Sequence, residues 1–330
     1  MKNYFITEIA SAHMGDINLV KYITDIHEKS NADYIKYQIF KATNLFSKKN
    51  KNFKNFKKLE ISFLKWEKII KSYSKKNKII LEPFDTDSYY FCKKFKKNVN
   101  IKISSSESDN IAVINDAIKN FRKVFINISG LGLKKILKLI NNLKGNKKKI
   151  VFMYGFQSYP TKKKNLRFNY FNILRKKGFE YGYADHSRHG LNLSAINLCS
   201  NALKTFKCKY LEKHVCHDIN QKPNDFVTSI NVNDIDKFID HVDLANKKIR
   251  MSTSNKISND EINYFLKFSK FAFAKKRMLK NNKINFKNIK FLRSNADLPG
   301  LTRLDLIDKK EIFVKKEINK DEQIFSNYLY

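Results

Sequence analysis

The sequence predicts an α/β chain: a parallel (β/α)8 TIM barrel followed by a small β-rich module. Three observations carry that prediction. Eight short runs rich in Ile, Val, Phe and Tyr recur along the first two thirds of the chain, most of them about 25–30 residues apart. Amphipathic helical patterns separate them. Polar and charged residues gather where each run ends, the edge at which such a barrel carries its chemistry.

The eight runs are 4–9, 33–38, 78–81, 100–104, 124–128, 150–154, 180–184 and 209–214, with a longer gap before the third. Residues 18–29 place Leu19, Ile23 and Ile26 on one helical face, and 64–72 and 111–120 behave likewise. Residues 131–143 are apolar at Leu133, Ile136, Leu137 and Ile140, and 191–203 and 232–245 complete the series. An open doubly wound sheet is the alternative, but it has fewer strands and a Gly-rich first turn. Gly15 stands almost alone in the corresponding turn, so there is no dinucleotide or P-loop fingerprint. After Lys248 the pattern changes. Ser258 and Glu261 form a capping box for a helix expected to run to about Ala274. Short β-like runs follow at 284–286, 290–292 and 312–316, with a Pro299-Gly300 turn between the last two. The expected division is a barrel at 1–248, a helical linker at 249–282 and a β-rich domain at 283–330.

With 330 residues, 42% apolar, including 27 Phe and 16 Tyr, the chain can bury a sizeable core, which excludes disorder as its main state. No stretch approaches the ~18 uncharged apolar residues of a membrane span. The N-terminus has no basic segment followed by a long apolar run, so no secretory leader is expected. Cys92, Cys199, Cys208 and Cys216 form no CxxC pair and read as free thiols of a cytoplasmic protein. The formal charge of +35 raises the possibility of nucleic-acid binding, yet it comes from 58 Lys against 8 Arg, with 38 Asn, scattered through every segment. Arg is the residue that reads bases and forks onto phosphates. A solvated Lys surface is therefore expected, with neither a nucleic acid nor a membrane as partner.

The run ends collect Glu8, Lys36, Gln38, Glu82, Asp85, Lys102, Ser104, Ser105, Ser106, Glu107, Ser129, Tyr154, Gln157, Asp185, His186, Glu212 and His214. Lys36 and Lys102 lie between apolar neighbours, and a buried ammonium needs a partner. A bound anion and an internal ion pair with Glu8 or Glu107 both satisfy that need. His186 and His214 end successive runs and are expected side by side on one rim. Two imidazoles near a carboxylate suit Mn2+, Zn2+ or a similar ion, and a structural pair is the alternative. The other histidines, including His27, read as surface or loop residues, with His13 and His189 close enough to the rim to support a site.

These residues fall in motifs that resemble the bacterial sialic acid (N-acetylneuraminate) synthases and their legionaminic and pseudaminic relatives. Ile6-Thr7-Glu8-Ile9, followed by Ala12-His13-Met14-Gly15-Asp16, is similar to the family's Glu-Ile-Gly and Asn-His-x-Gly. Ala32-Asp33-Tyr34-Ile35-Lys36-Tyr37-Gln38 resembles Ala-Asp-x-x-Lys-x-Gln, and Lys102-Ile103-Ser104-Ser105-Ser106-Glu107 resembles Lys-Ile-x-Ser-x-Glu. Tyr159-Pro160-Thr161, Asp185-His186-Ser187, Glu212-Lys213-His214 and Pro223-Asn224-Asp225 follow in the family's order, and Phe291-Leu292-Arg293-Ser294 is similar to its antifreeze-like (SAF) domain. The resemblance implies a homodimer in which that domain swaps onto the partner's site. It implies condensation of phosphoenolpyruvate with an open-chain acetamido sugar of the N-acetylmannosamine type. It also implies a divalent metal, Mn2+ first, with Mg2+ or Co2+ as alternatives, on His186 and His214. Glu8, Glu107 and Asp225 match carboxylates around the sugar, and Tyr159 matches a tyrosine beside both substrates. Lys36, Lys102 and Ser105 match phosphoenolpyruvate contacts, with Gln38 and Gln157 lining the same space. Arg293 matches the arginine offered to the acetamido group.

The departures fall on the phosphate side. Glu82 stands where a small hydroxyl residue is usual, Ile128 where Ser is common, Gln157 for Asn and Ala184 for Ser. Each lost donor costs about 1–3 kcal/mol, and a carboxylate aimed at a phosphate costs more. Ser104, Ser106, Ser129 or Arg188 are the substitutes on offer for the phosphate, and a lysine is the natural partner for Glu82. A paralogue that binds a sugar without turnover is the rival expectation.

Overall fold

The structure is a computed structural model that describes residues 2–74, 78–155, 158–161, 166–245, 257–296, 298–307 and 311–330. Eight parallel strands, β1 (Tyr4–Glu8), β2 (Tyr34–Ile39), β3 (Ile79–Pro83), β4 (Asn100–Ile103), β5 (Val124–Asn127), β6 (Ile150–Tyr154), β7 (Glu180–Asp185) and β8 (Tyr210–Cys216), pair in sequence order. β1 also pairs with β8, which closes the sheet into the expected barrel. A short ninth strand, β9 (Ser229–Asn231), lies parallel to β8 and has no counterpart in the sequence pattern.

The helices begin where a short polar side chain can take an orphan N–H. Asp16 caps Ile17–His27, Ser62 caps Phe63–Tyr73, Asp85 caps Thr86–Lys93 and Asn192 caps Leu193–Lys204. The long gap before β3 holds two extra short helices, Ala42–Leu45 and Phe53–Leu59. They bring Phe40, Leu45, Phe46, Leu59 and Phe84 together in an aromatic-rich cluster at the barrel rim.

The main core lies between the barrel and its helices, and a second layer of Ile6, Ile80, Phe125, Val151, Met153, Ala184 and Tyr210 plugs the interior. Glycine is required where β6 ends: a Cβ on Gly155 would lie 2.1 Å from the Ala184 carbonyl oxygen. Two histidines depart from the surface reading. His27 is buried with Nδ1 2.9 Å from the Thr7 hydroxyl, and His13 is buried with Nδ1 accepting from Gly15 N–H. Burial lowers the His13 pKa to about 4.

The C-terminal region departs from the expected helix. The capping box is present, with Ser258 accepting from Glu261 N–H, but the helix covers Asn259–Phe268 and stops there. The residues that follow, Lys270-Phe271-Ala272-Phe273-Ala274, form β10 (Lys270–Ala274), antiparallel to β11 (Ile289–Arg293). The expected runs near 284 and 312 join by single bridges, and Ile284, Ile312, Val314 and Ile318 share a small core with Ala272 and Ile289. Residues 249–256 of the expected linker lie outside the described residues. The four cysteines are buried and unpaired, and no described helix is long and apolar enough to cross a membrane.

Gly155→Ala is expected to lower the melting temperature by several degrees, because the added methyl must push β6 from β7. An unchanged melting temperature would show that the two strands separate there at no cost.

Candidate active site

The period of two along each strand decides what fills the barrel's upper half. The residue two places above each plug residue also faces inward. Ile6 is thus followed by Glu8, Ile80 by Glu82, Phe125 by Asn127, Ala184 by His186, and Tyr210 by Glu212 and then His214. Lys36, Gln38 and Lys102 complete the layer from β2 and β4. These polar groups floor a cavity of about 610 Å3 at the C-terminal ends of the strands.

The floor is a network of charge. Lys36 Nζ lies 2.6 Å from Glu82, 2.8 Å from Glu8 and 3.1 Å from Glu212. Lys102 Nζ donates to both Glu212 oxygens, at 2.6 and 2.8 Å. Burial works against the Lys36 charge, but Glu212, Glu8 and Glu82 outweigh it and hold its pKa well above the usual value. Burial likewise pushes the Glu8 pKa up, yet Lys36 and His214 win and hold it well below the usual carboxylate range. For Glu212 burial prevails, with Glu8 adding to it, and the pKa is raised. The ion-pair reading of the two lysines is thus present, although the partner of Lys102 is Glu212 rather than Glu107.

The opposite wall carries the histidines. His186 follows β7 directly, whereas His214 lies inside β8 rather than at its end. Their rings stand 5.3 Å apart and nearly perpendicular. His214 Nε2 lies 3.3 Å from Glu8, and its buried Nδ1 has no hydrogen-bond partner among the described residues. Burial would lower the His214 pKa, but Glu8 and Asp225 raise it. The Tyr159 hydroxyl lies 3.4 Å from His186 Nε2. Asp225 adopts a left-handed backbone, φ 63°, and accepts from Ser11 N–H at 2.9 Å. That conformation is uncommon for a residue other than Gly and sets the carboxylate on the cavity wall. Among the described residues no three His, Cys, Asp or Glu side chains gather as a metal cluster. The two imidazoles, one with a buried nitrogen that no described residue partners, are the side chains that would hold a divalent ion here.

The roof comes from the C-terminal region. Asp260, Asn263, Tyr264, Lys267 and Phe268 of the helix Asn259–Phe268 line the cavity together with Arg293. The Arg293 guanidinium lies 5.2–5.6 Å from the ring centres of Phe46, Phe56, Phe84 and Phe268. That apolar enclosure pulls its pKa down to about 10. A buried seam fastens this roof. Lys270 Nζ meets Glu107 at 2.6 Å and donates to the Phe84 carbonyl, while Arg303 pairs with Asp109 at 3.0 Å. Arg167 pairs with the buried Glu261.

Ten of the sequence-derived site residues therefore line one cavity: Glu8, Lys36, Gln38, Lys102, Ser105, Tyr159, His186, His214, Asp225 and Arg293. Glu107 does not line it, because Lys270 and Arg303 hold its carboxylate in the seam. Gln157 lies outside the described residues. The roof helix carries no site signal in the sequence, since its capping box marks where it starts but not what it faces. Lys270 and Arg303 gave no signal, being two lone cations in a Lys-rich chain.

Comparison with known proteins places the chain in a family and agrees with its fold. The chain belongs to the NeuB family, whose model matches residues 22–254. It is 26% identical over 248 residues to the N,N'-diacetyllegionaminic acid synthase of Campylobacter jejuni, covering 69% of this chain and 72% of that protein. It is 23% identical over 326 residues to an uncharacterised protein of Methanocaldococcus jannaschii, covering 98% and 93% of the two chains. Among solved structures, the spore coat polysaccharide biosynthesis protein spsE of Bacillus subtilis superposes with a TM-score of 0.80 at 17% identity, over 100% of this chain and 95% of that one. The N-acetylneuraminic acid synthetase of Leptospira borgpetersenii superposes with a TM-score of 0.65 at 22% identity, over 80% and 92%. The structural likenesses establish the fold.

Burial would raise the Glu107 pKa, but Arg303 and Lys270 lower it from 4.5 to about 2. A depressed carboxylate stabilises the fold above its unfolded pKa, and that stability is lost as pH falls through the folded one. Melting temperatures taken between pH 7 and pH 2 should therefore fall more steeply below about pH 4.5 for the native chain than for Glu107→Gln. Parallel curves would remove the seam from the account of acid stability.

Proposed function

We propose that the chain is a nonulosonic acid synthase, condensing phosphoenolpyruvate with an open-chain N-acetylmannosamine-type sugar to give a sialic-type acid and phosphate. The observation that carries the reading is the convergence of ten motif residues on one cavity in a chain of the NeuB family. The enol carbon of phosphoenolpyruvate bonds to the aldehyde carbon of the sugar, water adds at the adjacent carbon, and the C–O bond to phosphate breaks. Lys36 and Lys102 hold the donor's anionic groups, with Ser105 beside them. Glu8 and Asp225 orient the sugar's hydroxyls and carry protons, and Tyr159 packs over the reacting carbons. Arg293, enclosed by four rings, receives the acetamido group. His186 and His214 would hold the divalent ion, Mn2+ first. When bound, that ion supplies Lewis-acid polarisation of the acceptor carbonyl. The 26% identity to a diacetyllegionaminic acid synthase favours a diacetamido acceptor as the second reading.

The reaction runs in the cytoplasm, and the chain works as a homodimer. In the structure a chain's own module roofs its own cavity, through Lys270–Glu107 and Arg303–Asp109. Exchange of the module between two copies would preserve the same contacts.

Phosphate release from phosphoenolpyruvate with Mn2+ should depend on N-acetylmannosamine or a diacetamido-trideoxyhexose and yield a nine-carbon acid by mass spectrometry. Silence with every acceptor would exclude synthase activity. His214→Ala should abolish turnover while keeping the melting transition. Full activity of that variant, or of native protein stripped by chelator, would remove the metal role.

A further inference from the structure

The two cations that an anionic donor would seek are already matched. Lys36 has a carboxylate for each of its three N–H directions, Glu82 at 2.6 Å, Glu8 at 2.8 Å and Glu212 at 3.1 Å. Lys102 holds both oxygens of Glu212 and lies 3.8 Å from Glu82. Three carboxylates crowd two lysine side chains there, and all five side chains are buried. An anion arriving at either lysine must take a place that a carboxylate already fills.

The three carboxylates are not equivalent. Glu8 also accepts from Gln38 at 2.6 Å and lies against His214. Glu212 grips Lys102 with both oxygens. Glu82 lines the cavity, and its ion pairs among the described residues are with the two lysines. Taking Glu82 away leaves Lys36 with two carboxylates and Lys102 with one, and opens the wall next to both lysine side chains.

We propose that Glu82 is a resident counter-anion that sets donor affinity. It occupies the place on Lys36 and Lys102 that an anionic group of the donor takes, and the donor binds by displacing it. The proposal rests on the synthase reading and deepens it. This pocket discriminates by charge, and phosphoenolpyruvate must compete with a carboxylate fixed in the wall.

The test is calorimetric titration of phosphoenolpyruvate, with Mn2+ present, into the native chain, Glu82→Thr and Glu82→Gln, with acceptor saturation kinetics on the same preparations. Both variants should bind the donor roughly tenfold more tightly or better, with the acceptor KM unchanged. Gln keeps the length of the side chain, so it carries the test if the Thr variant melts early. Equal or weaker binding by folded variants overturns the proposal and leaves the synthase reading to the product assay. No binding by any of the three proteins overturns both.

Discussion

The structure turns on the buried contact between Lys36 and its three carboxylates. Charge in a barrel interior is costly, and it persists where geometry and hydrogen bonds repay the desolvation. Here Glu8, Lys36, Glu82, Lys102 and Glu212 come from five strands, β1, β2, β3, β4 and β8. The cluster lies directly above the apolar plug of Ile6, Ile80, Phe125 and Tyr210. The plug keeps water out from below and gives the charges a fixed floor. The same geometry aims Glu8 at His214, so the electrostatics of the lysines and of the histidine wall meet at one carboxylate.

A second constraint acts from above. The roof helix and Arg293 enclose the cavity, and the Glu107–Lys270 and Arg303–Asp109 pairs fix their height over the strand ends. Among the described residues Arg293 has aromatic faces around it rather than a paired carboxylate, and its Nε has no hydrogen-bond partner. A guanidinium enclosed in this way keeps donors for a neutral acceptor such as an amide carbonyl. The cavity is thus divided: its floor is charged and crowded with carboxylates, and its roof carries an enclosed cation.

Much of this was legible in the sequence, for a physical reason. Barrel strands are buried on both faces and read as continuous apolar runs, so Lys36 and Lys102 stood out. Glu8, Glu82, Glu212 and His214 read as polar residues at run ends, and it is the folded strands' alternation that sets them on the inner face with the lysines. What stayed hidden depends on contacts between distant segments. The capping box at Ser258 located a helix start, but Lys270–Ala274 is a strand because β11 lies beside it, and nothing local distinguishes it from a helix end. Glu107 lies in a motif of the site, yet Lys270, 163 positions further on, takes its carboxylate. His27 reads as a surface or loop residue, but the Thr7 hydroxyl from β1 gives it a buried partner. The β9 strand, three residues long, is set by its pairing with β8 rather than by its own propensity.

A crystal structure of the native chain with phosphoenolpyruvate and Mn2+ tests most directly whether the lysine–carboxylate floor is the donor's binding place. The expected result is an anionic group of the donor within hydrogen-bonding distance of Lys36 or Lys102, with the Glu82 carboxylate turned away from Lys36. Donor density elsewhere in the cavity, with the Lys36–Glu82 contact still at 2.6 Å, would contradict it.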